Sequence, residues 1–297
     1  MSTVILLLLT GLGAAGLYFL VASGLSLVFG LADVLNFAHG LFLSVGAYAA
    51  WWAATSLPGA GSEGLGFVLT AIVGVVAAAA VAALVELVLI RPLYKRTIEQ
   101  VLVTVGLSLA GVALLQVIWG ADPRTFPRPA WSGGVTEIAG ARVPNSSLLL
   151  LGCAAVVLVA LQAFLRFTRV GLVIRAGVED RAMVTALGID VRKAFTLVFA
   201  IGGAAAALAG ILAGVHFTTV SPAQGGSLLI FGFITVVIGG MGSVTGTAWA
   251  AVAVGLVQQF ANYYVSGLGD IFVVALLAVV LLVRPQGLAG VAGGASA

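Results

Sequence analysis

Charge is what this chain has least of. Only 8% of its 297 residues are Asp, Glu, Lys or Arg, against 62% hydrophobic, and the mean hydropathy is +1.22. A soluble domain carries about 25% charged residues, so this one lacks the polar surface that water would require. Cys153 is the sole cysteine, which excludes an internal disulfide. The two histidines, His39 and His216, come without a spaced third ligand, so no metal site is expected. No H-E-x-x-H, Walker A or G-x-S-x-G sequence occurs. No catalytic residue and no cofactor are therefore expected, and the chain does not read as an enzyme. The net charge of +3 is not clustered among aromatics, which argues against a nucleic-acid partner. The opening MSTVILLLLTGLGAAG has no Lys or Arg, so it reads as a retained first span and not as a signal peptide.

What is there is a series of long apolar runs, rich in Leu, Val, Ala and Gly and without strand-like alternation. Such runs cross lipid as helices, not as barrel strands. The expectation is an all-α polytopic membrane protein, a bundle of eight or nine transmembrane helices, some broken or re-entrant near 228–246. Residues 1–290 form a single membrane domain and 291–297 a flexible tail. Gly11, Gly13 and Gly16 spell G-x-G-x-x-G, but no strand precedes them, so close helix packing accounts for them better than a nucleotide.

The polar residues are few enough to take one by one. Asp33, Asn36 and His39 recur at three-residue spacing, roughly one helical face, inside a long apolar stretch. Polar groups in lipid face a bundle interior or a watery path. They either fix packing between helices or line a path. GGMGSVTG at 239–246 lacks the lysine of a phosphate loop. It reads as tight helix crossing or as a break where backbone lines a cavity. Residues 120–147 hold four of the eight prolines and read as a loop with a small hairpin or cap outside the bilayer. Residues 166–193 hold six of the thirteen basic residues. Within them Glu179 and Asp180 precede RAMVTAL, and Gly188 follows, which are start and stop signals of a short helix. Met183, Val184 and Leu187 would form its apolar side, suited to a groove on a partner or to its own bundle. Loops 91–100 and 166–193 with Arg284 hold ten of the thirteen basic residues, so that side is expected to be cytoplasmic and 120–147 extracytoplasmic.

Five segments taken together resemble a known family. GLSLVFG (24–30), NFAHG (36–40) with GAY (46–48), EDRAMVTALGI (179–189), GGMGSVTG (239–246) and RPQGL (284–288) look like signatures of the permease subunit of ABC importers for branched-chain amino acids, in the family's order. The resemblance implies a multi-pass protein of a bacterial-type cytoplasmic (inner) membrane, surrounded by membrane lipid. Its implied partners are a homologous second permease, two cytoplasmic ATPase subunits and an extracytoplasmic solute-binding protein, with a small-molecule substrate. Glu179, Asp180, Arg181, Ala182, Met183, Val184, Leu187 and Gly188 would couple to the ATPase. Asn36, His39, Gly40, Gly239, Gly240 and Gly242 would belong to the translocation path. Two readings compete: a permease of the same family for urea or short amides, and an ion-coupled secondary transporter using Asp33, Glu86 or Asp270.

Overall fold

In lipid every backbone N–H and C=O must find its partner inside the chain, which leaves this sequence little choice but helices. The computed structural model describes residues 2–32, 36–56, 64–94, 96–179, 183–184, 188 and 191–289. The helices are α1 (Ser2–Ala32), α2 (His39–Ser56), α3 (Gly64–Val85), α4 (Thr97–Trp119), α5 (Asn145–Phe167), α6 (Arg169–Glu179), α7 (Val191–Phe217), α8 (Gln224–Gly239), α9 (Val244–Tyr264) and α10 (Gly269–Val283). A π-helical turn, Glu86–Ile90, and a 3-10 turn, Arg91–Leu93, extend α3. Six of these helices (α1, extended α3, α4, α5, α7 and α9) are long and apolar enough to cross a membrane, and α8 and α10 are shorter apolar helices. With α2 this agrees with the expected eight or nine. The expected tail 291–297 lies outside the described residues.

The helices run between two chemically different ends. One carries two small antiparallel sheets, with Arg124 and Arg142 on them and Arg128 between: β1 (Arg124–Thr125) pairs with β4 (Thr219–Val220), and β2 (Val135–Ile138) with β3 (Ala141–Pro144). Ala139 and Gly140 connect β2 to β3 with φ of +50° and +79°, the paired positive angles of a two-residue hairpin turn. The other end carries Arg91, Arg96, Arg166, Arg169, Arg175, Arg192, Lys193 and Arg284.

Two helices form the axis. α1 packs on α5, α7, α8 and α9, and α7 packs on α1, α2 and α3. Their buried faces run from Leu7 to Val28 and from Ala194 to Val215. In lipid, helices gain little from hiding apolar surface and associate through close van der Waals contact. Small residues permit it. A Cβ on Gly24 would stand 2.6 Å from the Gly202 carbonyl oxygen, and one on Gly13 would stand 2.7 Å from Ser147 Cβ. The glycines of the N-terminal G-x-G-x-x-G are thus packing residues, as their setting implied.

The segment read as a loop at 166–193 contains α6. Gly171, Ile174 and Gly177 form its buried side, one turn apart, while Arg169, Leu172 and Arg175 face out. Amphipathic helices of this kind lie along a boundary and do not cross it.

Candidate functional site

α2 and α8 both begin inside the bundle. α8 has sixteen residues, about 24 Å at 1.5 Å per residue, short of the ~30 Å hydrocarbon core. Its first turn meets the first turns of α2. A Cβ on Gly40 would lie 2.7 Å from the Gly225 carbonyl oxygen. Ser44 ties the two together: its hydroxyl donates to the Pro222 carbonyl (3.1 Å) and accepts from the Gly225 amide (3.2 Å). Helix N-termini brought together within a membrane present partial positive charge to a solute.

Asn36 and His39 stand at the start of α2. Asn36 lies just before the helix, not on its face, and its Oδ1 accepts from the Ala38 amide at 3.0 Å. That is the N-cap arrangement, which satisfies a donor that the first turn would leave unpaired. His39 Nε2 lies 3.1 Å from the Val21 carbonyl of α1. A carbonyl only accepts, so Nε2 carries a proton. Both side chains are 0% exposed, yet Asn36 Nδ2 and His39 Nδ1 have no hydrogen-bond partner among the described residues. Buried polar atoms without partners carry a free-energy penalty of about 1–3 kcal/mol each. In its neutral form His39 keeps one unpaired acceptor at Nδ1, and Asn36 keeps its Nδ2 donors unpaired, three residues apart in sequence. Phe37, which stands between them in sequence, lines a mostly apolar cleft of about 220 Å³ with Val105, Ser108, Leu109, Leu229 and Phe233; Asn36 and His39 do not line it.

Replacing Asn36 with alanine removes the cap and is expected to cost about 0.5–2 kcal/mol. Asn36→Ser keeps a local acceptor without burying a charge and should retain part of the folded stability that Asn36→Ala loses, which thermal unfolding of the purified protein measures.

Gly239, Gly240 and Gly242 do not join this site. Gly242 packs on Gly30 of α1, where a Cβ would be 2.6 Å from Gly242 Cα. That is nine residues beyond Val21 along α1, or roughly 13 Å, at the arginine-rich end. There Gly240 and Gly242 turn the chain with φ of +93° and +86°, angles that favour glycine. Ser243 caps α9 by accepting from the Gly246 amide. The RPQGL segment lies across the end of α8: the Leu288 and Ala289 amides donate to the Ile238 and Gly239 carbonyls at 2.8 and 3.1 Å. Two motifs that stand far apart in sequence are one piece of structure.

Of the expected coupling segment, Asp180, Arg181, Ala182 and Leu187 lie outside the described residues, as does Asp33, one of the acids considered for an ion-coupled carrier. α6 ends at Glu179. Met183 is exposed, Val184 is buried against the bundle, and Gly188 is exposed with φ of +80°. Of the acids considered for an ion-coupled carrier, Asp270 accepts from Gln258 Nε2 at 2.8 Å, and Gln258 Oε1 accepts from the Tyr18 hydroxyl. Glu86 is fully buried and ion-paired with Arg91. Among the described residues no group of three or more His, Cys, Asp and Glu is placed to hold a metal. Sequence reasoning did not single out Ser44 or Gly225. The available signal was a serine one turn after Gly40 on the same helical face.

These features define a multi-pass, all-helical membrane protein with a polar pair held between helices that start inside its bundle. The family model described as branched-chain amino acid transport system / permease component matches residues 7–283, and the chain belongs to that family. It is 30% identical to the high-affinity branched-chain amino acid transport system permease protein LivH of Escherichia coli K12, over 94% of this chain and 93% of that one. It is 28% identical to the corresponding protein BraD of Pseudomonas aeruginosa (95% and 94%), and 26% identical to a probable branched-chain amino acid transport permease protein LivH of Methanocaldococcus jannaschii (93% and 90%). No solved structure matches the chain.

Proposed function

We propose that this chain is one of two homologous permease subunits of an ATP-driven importer in a bacterial-type cytoplasmic membrane. It receives a branched-chain or related amino acid from an extracytoplasmic binding protein and releases it to the cytoplasm. Two cytoplasmic ATPases supply the energy, and this chain performs no hydrolysis itself. The carrying observation is the family match over residues 7–283. Supporting it are the unpaired polar atoms of Asn36 and His39 at the start of a helix inside the bundle, and an apolar cleft that Phe37, between them in sequence, helps to line. An aliphatic amino acid needs both kinds of contact.

The arginine-rich end faces the cytoplasm in this reading, following the bias of basic residues, and the β2–β3 hairpin end faces the binding protein. Residues 1–290 act as one membrane domain. The segment 179–188 docks on an ATPase, and its movement on ATP binding reorients the bundle. Such a contact drives transport only through different affinities for the inward and outward states. Asn36, His39 and Gly40 lie on the solute's way. Gly239, Gly240 and Gly242 shape the exit.

The test is uptake by vesicles holding this permease, its partner permease, both ATPases and the binding protein. Leucine or valine should accumulate with ATP and the binding protein, and an uncoupler should leave uptake intact. Uptake that an uncoupler abolishes and ATP does not support would make the protein an ion-coupled carrier. Uptake of urea or short amides in place of leucine would keep the family and change the solute.

A further inference from the structure

One polar cluster takes no part in the path or in the expected coupling segment. At the arginine-rich end of α3, Glu86 is 0% exposed. Both of its carboxylate oxygens are occupied. Oε1 accepts from Arg91 Nε (3.2 Å) and from the Tyr94 hydroxyl; Oε2 accepts from Arg91 Nη2 (3.3 Å) and from the Thr196 hydroxyl (2.7 Å). Arg91 Nη2 also donates to Thr196 Oγ1 at 2.7 Å, which closes a ring of three side chains. Of the ion pairs among the described residues this one has a buried carboxylate, with the Arg91 side chain 34% exposed; the other, Arg96 with Glu99, is exposed at both partners.

Its position in the chain is what gives it meaning. Thr196 lies in the second turn of α7, the helix that opens just after Gly188. Arg91 and Tyr94 belong to the link between α3 and α4, which is the other basic loop at this end. Glu86 opens the π-helical turn, and the Arg91 amide donates to the Glu86 carbonyl five residues back. A single π turn inside an α-helix is rare and recurs at functional sites. Here it opens at Glu86 and ends just before Arg91, its ion-pair partner.

Elsewhere α3 meets its neighbours through small apolar residues. Gly203 of α7 packs on Ala78 and Ala82, and Gly74 packs on Gly46 and Ala50 of α2. Smooth surfaces of that kind allow helices to slide past one another. The ring does not slide, because pulling Thr196 or Arg91 away would strand a buried carboxylate. The base of α7 and the base of α3 must therefore move together, while their upper parts can shear. From α3 the movement reaches α2 at Gly46, and α2 begins at Asn36 and His39.

We propose that the Glu86–Arg91–Thr196 ring is the joint that hands movement of the segment before α7 to α3 and α2, which makes Glu86 and Thr196 positioning residues of the transport cycle. The proposal rests on the importer reading above. Spatial continuity by itself does not establish coupling, so the test measures coupling directly. Glu86→Gln and Thr196→Val are placed in the complete importer, and solute moved per ATP hydrolysed is compared with wild type. Thr196→Val removes one hydroxyl at nearly constant volume and serves as the variant that folds. Both variants should assemble and hydrolyse ATP, with solute per ATP reduced about tenfold, within the 5–150-fold range of typical coupling. Unchanged solute per ATP in an assembled Thr196→Val importer overturns the proposal. So does a loss that only tracks a lower yield of assembled complex. If the wild-type importer shows no ATP-driven uptake, the importer reading fails separately. The joint is then judged by hydrogen exchange in the permease alone: faster exchange at residues 39–56 in Thr196→Val supports it, and a change confined to α7 overturns it.

Discussion

Gly225→Val is expected to reduce uptake to background. Gly225 is buried where α8 begins, against the first turns of α2. A Cβ there would fall on the Gly40 carbonyl oxygen, 2.5 Å from Ser44 Oγ and 2.8 Å from the Gly40 carbonyl carbon. Two of these three are backbone atoms and cannot rotate away, so the helices must separate. Valine adds two further methyl groups. Overpacking of this kind costs about 1–3 kcal/mol, and here it acts on the contact that positions Asn36 and His39. It also displaces the amide that donates to Ser44. Gly226→Ala is the neighbouring comparison: Gly226 lines the apolar cleft, and among the described residues a Cβ there would meet nothing within 4 Å, so it adds a carbon without forcing the helices apart. The measurements are solute uptake and thermal unfolding of the purified permease. Uptake by Gly225→Val comparable to that of Gly226→Ala would show that the α2–α8 crossing can open without consequence.

The long helices were legible because lipid leaves one solution for a long apolar run. The first run, read as about 3–31, is α1, Ser2–Ala32. Residues 120–147 read as a loop with a small hairpin or cap from their prolines, and the β2–β3 hairpin lies within them, though its strands and register were not legible. α6 was not legible. Its eleven residues contain two glycines and two arginines, and a charged stretch between spans reads as a loop unless its three-residue spacing of buried positions is noticed.

The site was legible in its residues and not in its geometry. Asn36 and His39 stood out because polar side chains are rare in lipid. Three-residue spacing suggested a shared helical face, but the same spacing fits a cap followed by a helix, and the backbone takes the second option. What no spacing can show is contact over long separation. Gly40 meets Gly225, Leu288 binds Ile238, and Thr196 binds Glu86. Each depends on which helices are neighbours, and composition is nearly uniform across these helices. Glu86 shows the consequence most clearly. In sequence it is an acid near the end of a span; in the structure it is fully enclosed.

Gly188→Pro is expected to uncouple ATP hydrolysis from transport. Gly188 has φ of +80°, and among the described residues a Cβ on it would meet nothing within 4 Å. The positive angle is therefore the feature that the substitutions test. Proline holds φ near −65°, so it cannot adopt this turn and must redirect the chain between the expected docking segment and α7. Alanine tolerates the angle at roughly 1–2 kcal/mol, and asparagine adopts it more readily than other residues with side chains. The expected order of retained uptake is Gly, then Asn, then Ala, then Pro, with Pro at least about tenfold below wild type if the coupling lies in the usual range. ATPase activity of the assembled importer should persist across the series, because the catalytic groups belong to the partner subunits in this reading. Uptake and hydrolysis measured on the same vesicles decide it. If Asn and Pro behave alike, the positive angle at Gly188 is not what connects the segment to α7. If hydrolysis and uptake fall together, the residue serves assembly and not coupling.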